Sequence, residues 1–369
     1  MSAITLRDIA SVLEQKAPLA WQESYDNSGL LLGNPNDAVE GILCTLDVTE
    51  QVLEEALQKN CNLIVAHHPI IFSALKKING KNSVERILLK AIKAGIAVYA
   101  AHTNLDNYRK GVNHLICEKL GLKHTSILAP ATGKLQKLVV YVPDAHAQPL
   151  GDALFAAGAG HIGNYNECSF QVHGTGTFRP MEGSRPFLGE QGKRHSEMES
   201  QMEFLVPQHL TQVVLAAMKQ AHPYEEVAYD LIPLNNTDRY TGAGMTGSWE
   251  QPLSLEELLD RVARTFACKT LRHTASVTDA YSRVAVCGGS GSFLLKDAIA
   301  AGAQVFVTAD YKYHQFFDAD NQILIIDIGH YESEQYTPAL LKEMIVEKFP
   351  TFAVHLSETN TNPIHYYIS

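Results

Sequence analysis

The chain has 369 residues, 46% of them apolar, and a formal net charge of -10. That length can bury at least one large core and leaves room for two domains, and the acidic balance argues against broad electrostatic capture of nucleic acid. The opening MSAITLRDIASVLEQ lacks the basic-then-apolar order of a signal peptide and no apolar run approaches the span of a bilayer, so a cytoplasmic protein without a membrane partner is expected.

In chain order, Thr5 is expected to cap a first amphipathic helix, with Asp8 three positions on and Leu6, Ile9, Ala10 and Leu13 at helical spacing. From position 41, apolar runs (GILCTLDV, NLIVAHHP, IAVYAAH) alternate with helical stretches (TEQVLEEALQKN, SVERILLKAIKAGI). The alternation returns late in RVAVCGG, FLLKDAIAAG, QVFVTAD, a helical YKYHQFFD, NQILIIDIGH and PALLKEMIVEKF. Short apolar runs separated by helices are what a parallel sheet covered on both faces requires. The fold class expected is therefore α/β, with a mainly parallel sheet in a two-lobed outer domain.

Between these halves the pattern is strand, helix, strand, given twice: KLVVYVP, QPLGDALFAAG and SFQVHGTGTF, then MEFLVP, QHLTQVVLAAMKQ and VAYDLIPL. A doubled unit of this kind predicts a ferredoxin-like α+β sandwich over residues 134–234, with the polar span Arg179 to His195 as an exposed loop or hairpin between its halves. The outer domain is then discontinuous, residues 1–133 and 235–369. In the insert, AHPYEEVAY reads as a loop entering a strand.

The six cysteines (Cys44, Cys61, Cys117, Cys168, Cys268, Cys287) show no C-x-x-C spacing, so neither a thiolate zinc site nor a redox pair is expected. Any metal would be held by imidazole and carboxylate, a set that suits zinc, manganese, iron, cobalt or nickel. AHHPIIF, residues 66–72, places His67 and His68 where Pro69 ends a strand, and a strand end lets both neighbours turn to one side. AHTNLD presents His102 and Asp106 just after another apolar run, and GHYESE presents His330 and Glu334 one helical turn apart after a third. Each cluster alone reads equally as a cap or a solvated polar group. Together, at equivalent strand ends, they offer more donors than one tetrahedral ion needs and enough for two ions bridged by a carboxylate.

CGGSG at 287–291 either cradles an anion on backbone N–H groups, in which case Gly289 and Ser290 contact substrate, or solves a packing problem at a strand-to-helix turn. Asp310, Tyr313 and His314 either line the same cavity, making Asp310 and His314 further substrate contacts, or Asp310 caps the next helix. Asp47 and Thr49 read first as a turn and an N-cap, and as site residues only by neighbourhood.

AHHPIIF, AHTNLD and GHYESE, taken with YDNSGLLLG, LDVTEQVLEEA, CGGSGS and TADYKYH, resemble the Nif-three-like dinuclear-metal proteins, also called GTP cyclohydrolase 1 type 2 homologues. HPYEEVAYDLIPL looks like the end of the insertion carried by the longer members, which is similar to the P-II and CutA sandwich. The resemblance implies two divalent ions held by His67, His68, Asp106, His330 and Glu334, with His102 orienting a ligand or a water, or itself ligating. It also implies a toroidal homohexamer with the metal sites facing an internal cavity. Metal-assisted hydrolysis of a nucleotide such as GTP is the activity implied, and a phosphoesterase reaction would use the same parts. The alternatives are a non-catalytic regulatory or scaffolding ring that binds a small molecule, and a protein that stores or delivers metal.

Overall fold

In the computed structural model, residues 3–367 are described. Residues up to Pro130 and from Tyr240 onward form one compact unit, and Ala131–Arg239 a second.

The first unit contains two sheets. One orders its strands Gly29–Leu32, Ala97–Ala100, Leu63–Ala66, Ile42–Thr45 and Val354–Leu356. All neighbours are parallel except Gly29–Leu32 with Ala97–Ala100. The inner strands are buried throughout, as near-continuous runs such as LIVA and AVYA demand. Ser83–Ala94 and Glu50–Gln58 cover one face, packing Val52, Ala56, Ile87 and Ala91 on Leu43, Ile64 and Val98.

The second sheet runs Arg272–His273, Leu324–Asp327, Val305–Ala309, Tyr281–Ser290, Gly242–Leu253 and Lys123–Pro130. Only its middle three strands are mutually parallel; the pairings at both flanks are antiparallel. The unit is thus mixed α/β, less parallel than the apolar runs alone suggest. The strands that change it have no clean apolar run: KHTSILAP is half-exposed and GAGMTGSWEQPL is rich in glycine. YKYHQFFD, expected to be helical, forms a 3-10 turn over Tyr313–Ala319 that exposes Tyr313 and Phe317. A single extended core joins both sheets, through Leu63, Val65 and Tyr99 on one side and Val284, Val305 and Ile326 on the other.

Local chemistry sets the ends of the elements. Thr5 and Asp8 form the expected capping box on Leu6–Lys16, and Thr49 accepts the Val52 N–H to start Glu50–Gln58. Four of the six cysteines are buried and none is paired with another. No helix of the described residues is long and apolar enough to cross a membrane.

The C-terminal segment is tied down by one carboxylate. Glu55 accepts from the Ser357 and Thr359 hydroxyls, the Glu358 and Thr359 backbone N–H groups and Lys59. Burial alone would raise this carboxyl, but these donors outweigh it and hold it down to about 2. A depressed carboxylate stabilises the fold above its unfolded value and loses that contribution as pH falls through the folded one. Glu55→Gln is therefore expected to cost about 1–2 kcal/mol at neutral pH. The gap from wild type should close between roughly pH 4.5 and 2 in denaturation series, and a gap that stays constant over that window would contradict this role.

In the second unit the antiparallel sheet orders Ser169–Phe178, His195–Pro207, Leu135–Pro143 and Tyr229–Leu234. Helices Ala147–Ala156 and Thr211–Ala221 pack Leu150, Leu154, Val214 and Met218 against Leu138, Val140, Phe204 and Val206. Residues 179–194 connect the long hairpin. His222 is buried at the end of its helix, bonded to the Tyr141 carbonyl, while Glu225 and Glu226 are exposed.

Candidate metal centre

Within the first unit, the carboxyl ends of parallel strands from both sheets deliver polar side chains to one place, as strand ends in open α/β sheets do. From the first sheet come Asp47 after Ile42–Thr45, His67 and His68 after Leu63–Ala66, and His102 and Asp106 after Ala97–Ala100. From the second come Asp310 after Val305–Ala309, and His330 and Glu334 after Leu324–Asp327. His67 and His68 both face the cluster because the strand ends at Ala66, freeing the chain from alternation.

Four imidazoles are fixed in the same manner. His67 donates from Nδ1 to the Ala101 carbonyl at 2.8 Å, His68 to Asp47 at 2.7 Å, His102 to Asp26 at 2.7 Å and His330 to Asp310 at 2.7 Å. An imidazole whose Nδ1–H is held in this way presents Nε2 as its outward nitrogen. Nε2 of His68 and of His330 lie 3.3 Å apart, and 3.0 and 3.1 Å from the same Glu334 oxygen, Oε2. The other Glu334 oxygen lies 3.8 Å from His67 Nε2, which in turn is 3.6 Å from Asp106 Oδ1.

Those last two spacings are too long for hydrogen bonds. His67 Nε2 and Asp106 Oδ1 are buried and have no hydrogen-bond partner among the described residues. Leaving a buried carboxylate oxygen and a buried imidazole nitrogen unpaired is costly. A cation between them would satisfy both, and nitrogen plus carboxylate oxygen is a donor set that borderline divalent ions take. His67, Asp106 and Glu334 thus form one group able to hold an ion, and His68, His330 and Glu334 a second, sharing Glu334. His102 lies in a third group with His67 and His68, its ring 5.3 and 5.5 Å from theirs.

The electrostatics describe a pocket that calls for positive charge. Burial opposes charging of His68 and His330, yet Asp47 and then Glu334 raise His68 to about 9, and Asp310 and then Glu334 raise His330 to about 11. Burial would likewise raise Glu334, but the His330, His67 and His68 imidazoles hold it well below the usual carboxylate range. Asp106 is raised by burial and by the Glu334 carboxylate beside it. Two buried acids this close share a site most easily when cations lie between them.

CGGSG does not cradle an anion with its two inner amides. Gly288 donates to Asn113 Oδ1 and Gly289 to Ser333 Oγ, each at 2.9 Å. The stretch solves a packing problem instead: Gly289 has φ +60°, and a Cβ there would stand 2.5 Å from Glu334 Oε1. Asp310, also at positive φ, caps no helix; Lys312 precedes the following turn, and Asp310 orients His330. Ser290 ends its strand exposed beside Ala309, and His314 is exposed against the Tyr313 ring; among the described residues neither makes a hydrogen bond or ion pair with the imidazoles or carboxylates of the cluster. Tyr313 instead lines a separate cavity of about 550 Å³ with Arg272, Phe316 and Phe317.

Two acids carry more than their sequence context suggests. Asp47, read as a turn residue, orients His68 and accepts from Thr361 on its other oxygen. Asp26 holds His102 and also accepts the Thr103 N–H and hydroxyl, which places it well below its ordinary value although burial opposes this. Neither stands near its histidine in sequence, so spacing could not have paired them.

The family profile for Duf34/NIF3 (NGG1p interacting factor 3) matches residues 4–363. Among similar proteins, one from Halalkalibacterium halodurans named GTP cyclohydrolase 1 type 2 homolog is 40% identical over 363 residues, 97% of this chain and 98% of the relative. One of the same name from Bacillus subtilis is 38% identical over 370 residues, 98% of each. The crystal structure of a Bacillus cereus protein related to NIF3 superposes with a TM-score of 0.87 over the whole of both chains, at 38% identity. A match that runs through both halves of the first unit and the segment between them leaves one assignment: the chain belongs to the Duf34/NIF3 (NGG1p interacting factor 3) family.

Proposed function

We propose that the chain binds two divalent metal ions, one through His67 and Asp106, the other through His68 and His330, with Glu334 common to both, and that it works as a metal-dependent hydrolase on a nucleotide-type substrate. The observation that carries this reading is the single carboxylate facing three imidazoles, beside a buried nitrogen and oxygen that no hydrogen bond satisfies. When bound, such a pair of ions supplies Lewis acidity toward water and toward a substrate oxygen. The chain's own residues do the rest. Asp47, Asp310 and the Ala101 carbonyl fix the imidazole tautomers, so that ligand orientation is set before any ion arrives. His102, held by Asp26 through Nδ1, is the group suited to move a proton at Nε2. The nucleotide part of the reading rests on the name shared by the relatives.

The Ala131–Arg239 unit is part of the same proposal, as a ferredoxin-like insertion of the P-II/CutA kind; its strand–helix–strand repeat and fully antiparallel sheet support this.

Incubating metal-loaded protein with GTP and following products chromatographically tests the enzymatic part. Turnover is expected with the ions present and should fall to background after chelation. Undiminished turnover in fully metal-free protein would falsify it.

A further inference from the structure

Beside the imidazole cluster, two aromatic side chains are largely open to solvent. Tyr25 is 62% exposed and Phe72 49% exposed. Their ring centroids are 6.3 Å apart with the planes tilted by 45°, and Phe72 meets the His102 ring edge-on at 6.3 Å. The pair forms an open corner, and one wall of it touches a histidine of the site.

Both aromatics sit on backbone that is held. Asp26, next to Tyr25, is bonded to His102 and Thr103, and Asn27 donates from Nδ2 to the Ile71 carbonyl at 2.6 Å, tying the two segments together. Phe72 belongs to residues 67–82, a connection without secondary structure between a strand and a helix. Connections of that length inside compact units generally carry function. The surroundings are acidic: burial, then the Glu23, Asp26 and Asp106 carboxylates, raise the Tyr25 hydroxyl, which keeps it a donor.

We infer that Tyr25 and Phe72 form the stacking platform for a planar nitrogen heterocycle of the purine class, positioned by them next to His102. An aromatic corner takes a flat ring face-on against one wall and edge-on against the other. The negative charge around Tyr25 disfavours an anionic group in this corner, and the two ring faces favour a flat ring over an aliphatic chain. The inference rests on the reading of the neighbouring cluster as the reacting centre and adds to it the part of the substrate that is recognised away from the ions.

The test is equilibrium binding of guanosine, and separately of ribose 5-phosphate, to full-length metal-loaded protein, with metal content measured on the same samples. Tyr25→Ala and Phe72→Ala are each expected to weaken guanosine binding on the order of 10-fold or more, with Tyr25→Phe close to wild type and ribose 5-phosphate affinity unchanged. Metal content should match wild type throughout. Absence of saturable guanosine binding by the wild type, or alanine variants that bind it as well as wild type does, overturns the platform. So does a change confined to the molecular mass in solution, which would make the pair a contact between copies of the chain. Wild-type protein that binds guanosine through this pair yet retains no metal would leave the platform standing and sink the metal-centre reading instead.

Discussion

Gly289→Ala is expected to weaken ion binding on the order of 100-fold while the chain stays folded. The methyl group would lie 2.5 Å from Glu334 Oε1 and 3.2 Å from His330 Cε1, so the two groups that the second ion needs would both have to move. The backbone at φ +60° adds a strain of about 1 kcal/mol for any residue with a Cβ. That cost is small for a unit with one core extending through both sheets, so circular dichroism should match wild type. Loss of a ligand's position is more severe than loss of a supporting hydrogen bond, which typically costs 10–100-fold in metal affinity. A variant with full metal content would show that the carboxylate does not need the space this glycine leaves.

The second large effect separates one ion from two. His67→Ala removes a nitrogen from the group with Asp106 but leaves His68, His330 and Glu334 intact, and is expected to leave about one ion per chain, bound near His68 and His330. Glu334→Gln keeps the shape but removes the charge that three imidazoles face, and both ions should be lost. Elemental analysis of the two variants reads the difference directly. Equal losses in both would mean that the two groups do not bind separately.

Much of this site can be read from the chain because strand ends are local. His67 and His68 stand before Pro69, and His330 and Glu334 are four apart on one short helix, so their type and spacing already place them together. What cannot be read is the layer behind them. Asp26, Asp47 and Asp310 reach their histidines across 76, 21 and 20 residues, through strand pairing that spacing does not encode. The glycines of CGGSG are equally ambiguous: the same sequence serves an anion or a close approach, and only the neighbouring Ser333, Asn113 and Glu334 decide between them. The parallel strands announce themselves as buried apolar runs, whereas Lys123–Pro130 and Gly242–Leu253 pair antiparallel with polar and glycine-rich sequences that carry no period.

Anomalous scattering decides the matter most directly, recorded from crystals of protein never exposed to chelator at the edge of whichever metal elemental analysis identifies. Two peaks per chain are predicted, one against His67 and Asp106, the other against His68 and His330, with Glu334 beside both. A single peak held by other residues, or none at all in fully active protein, would contradict the two-ion centre.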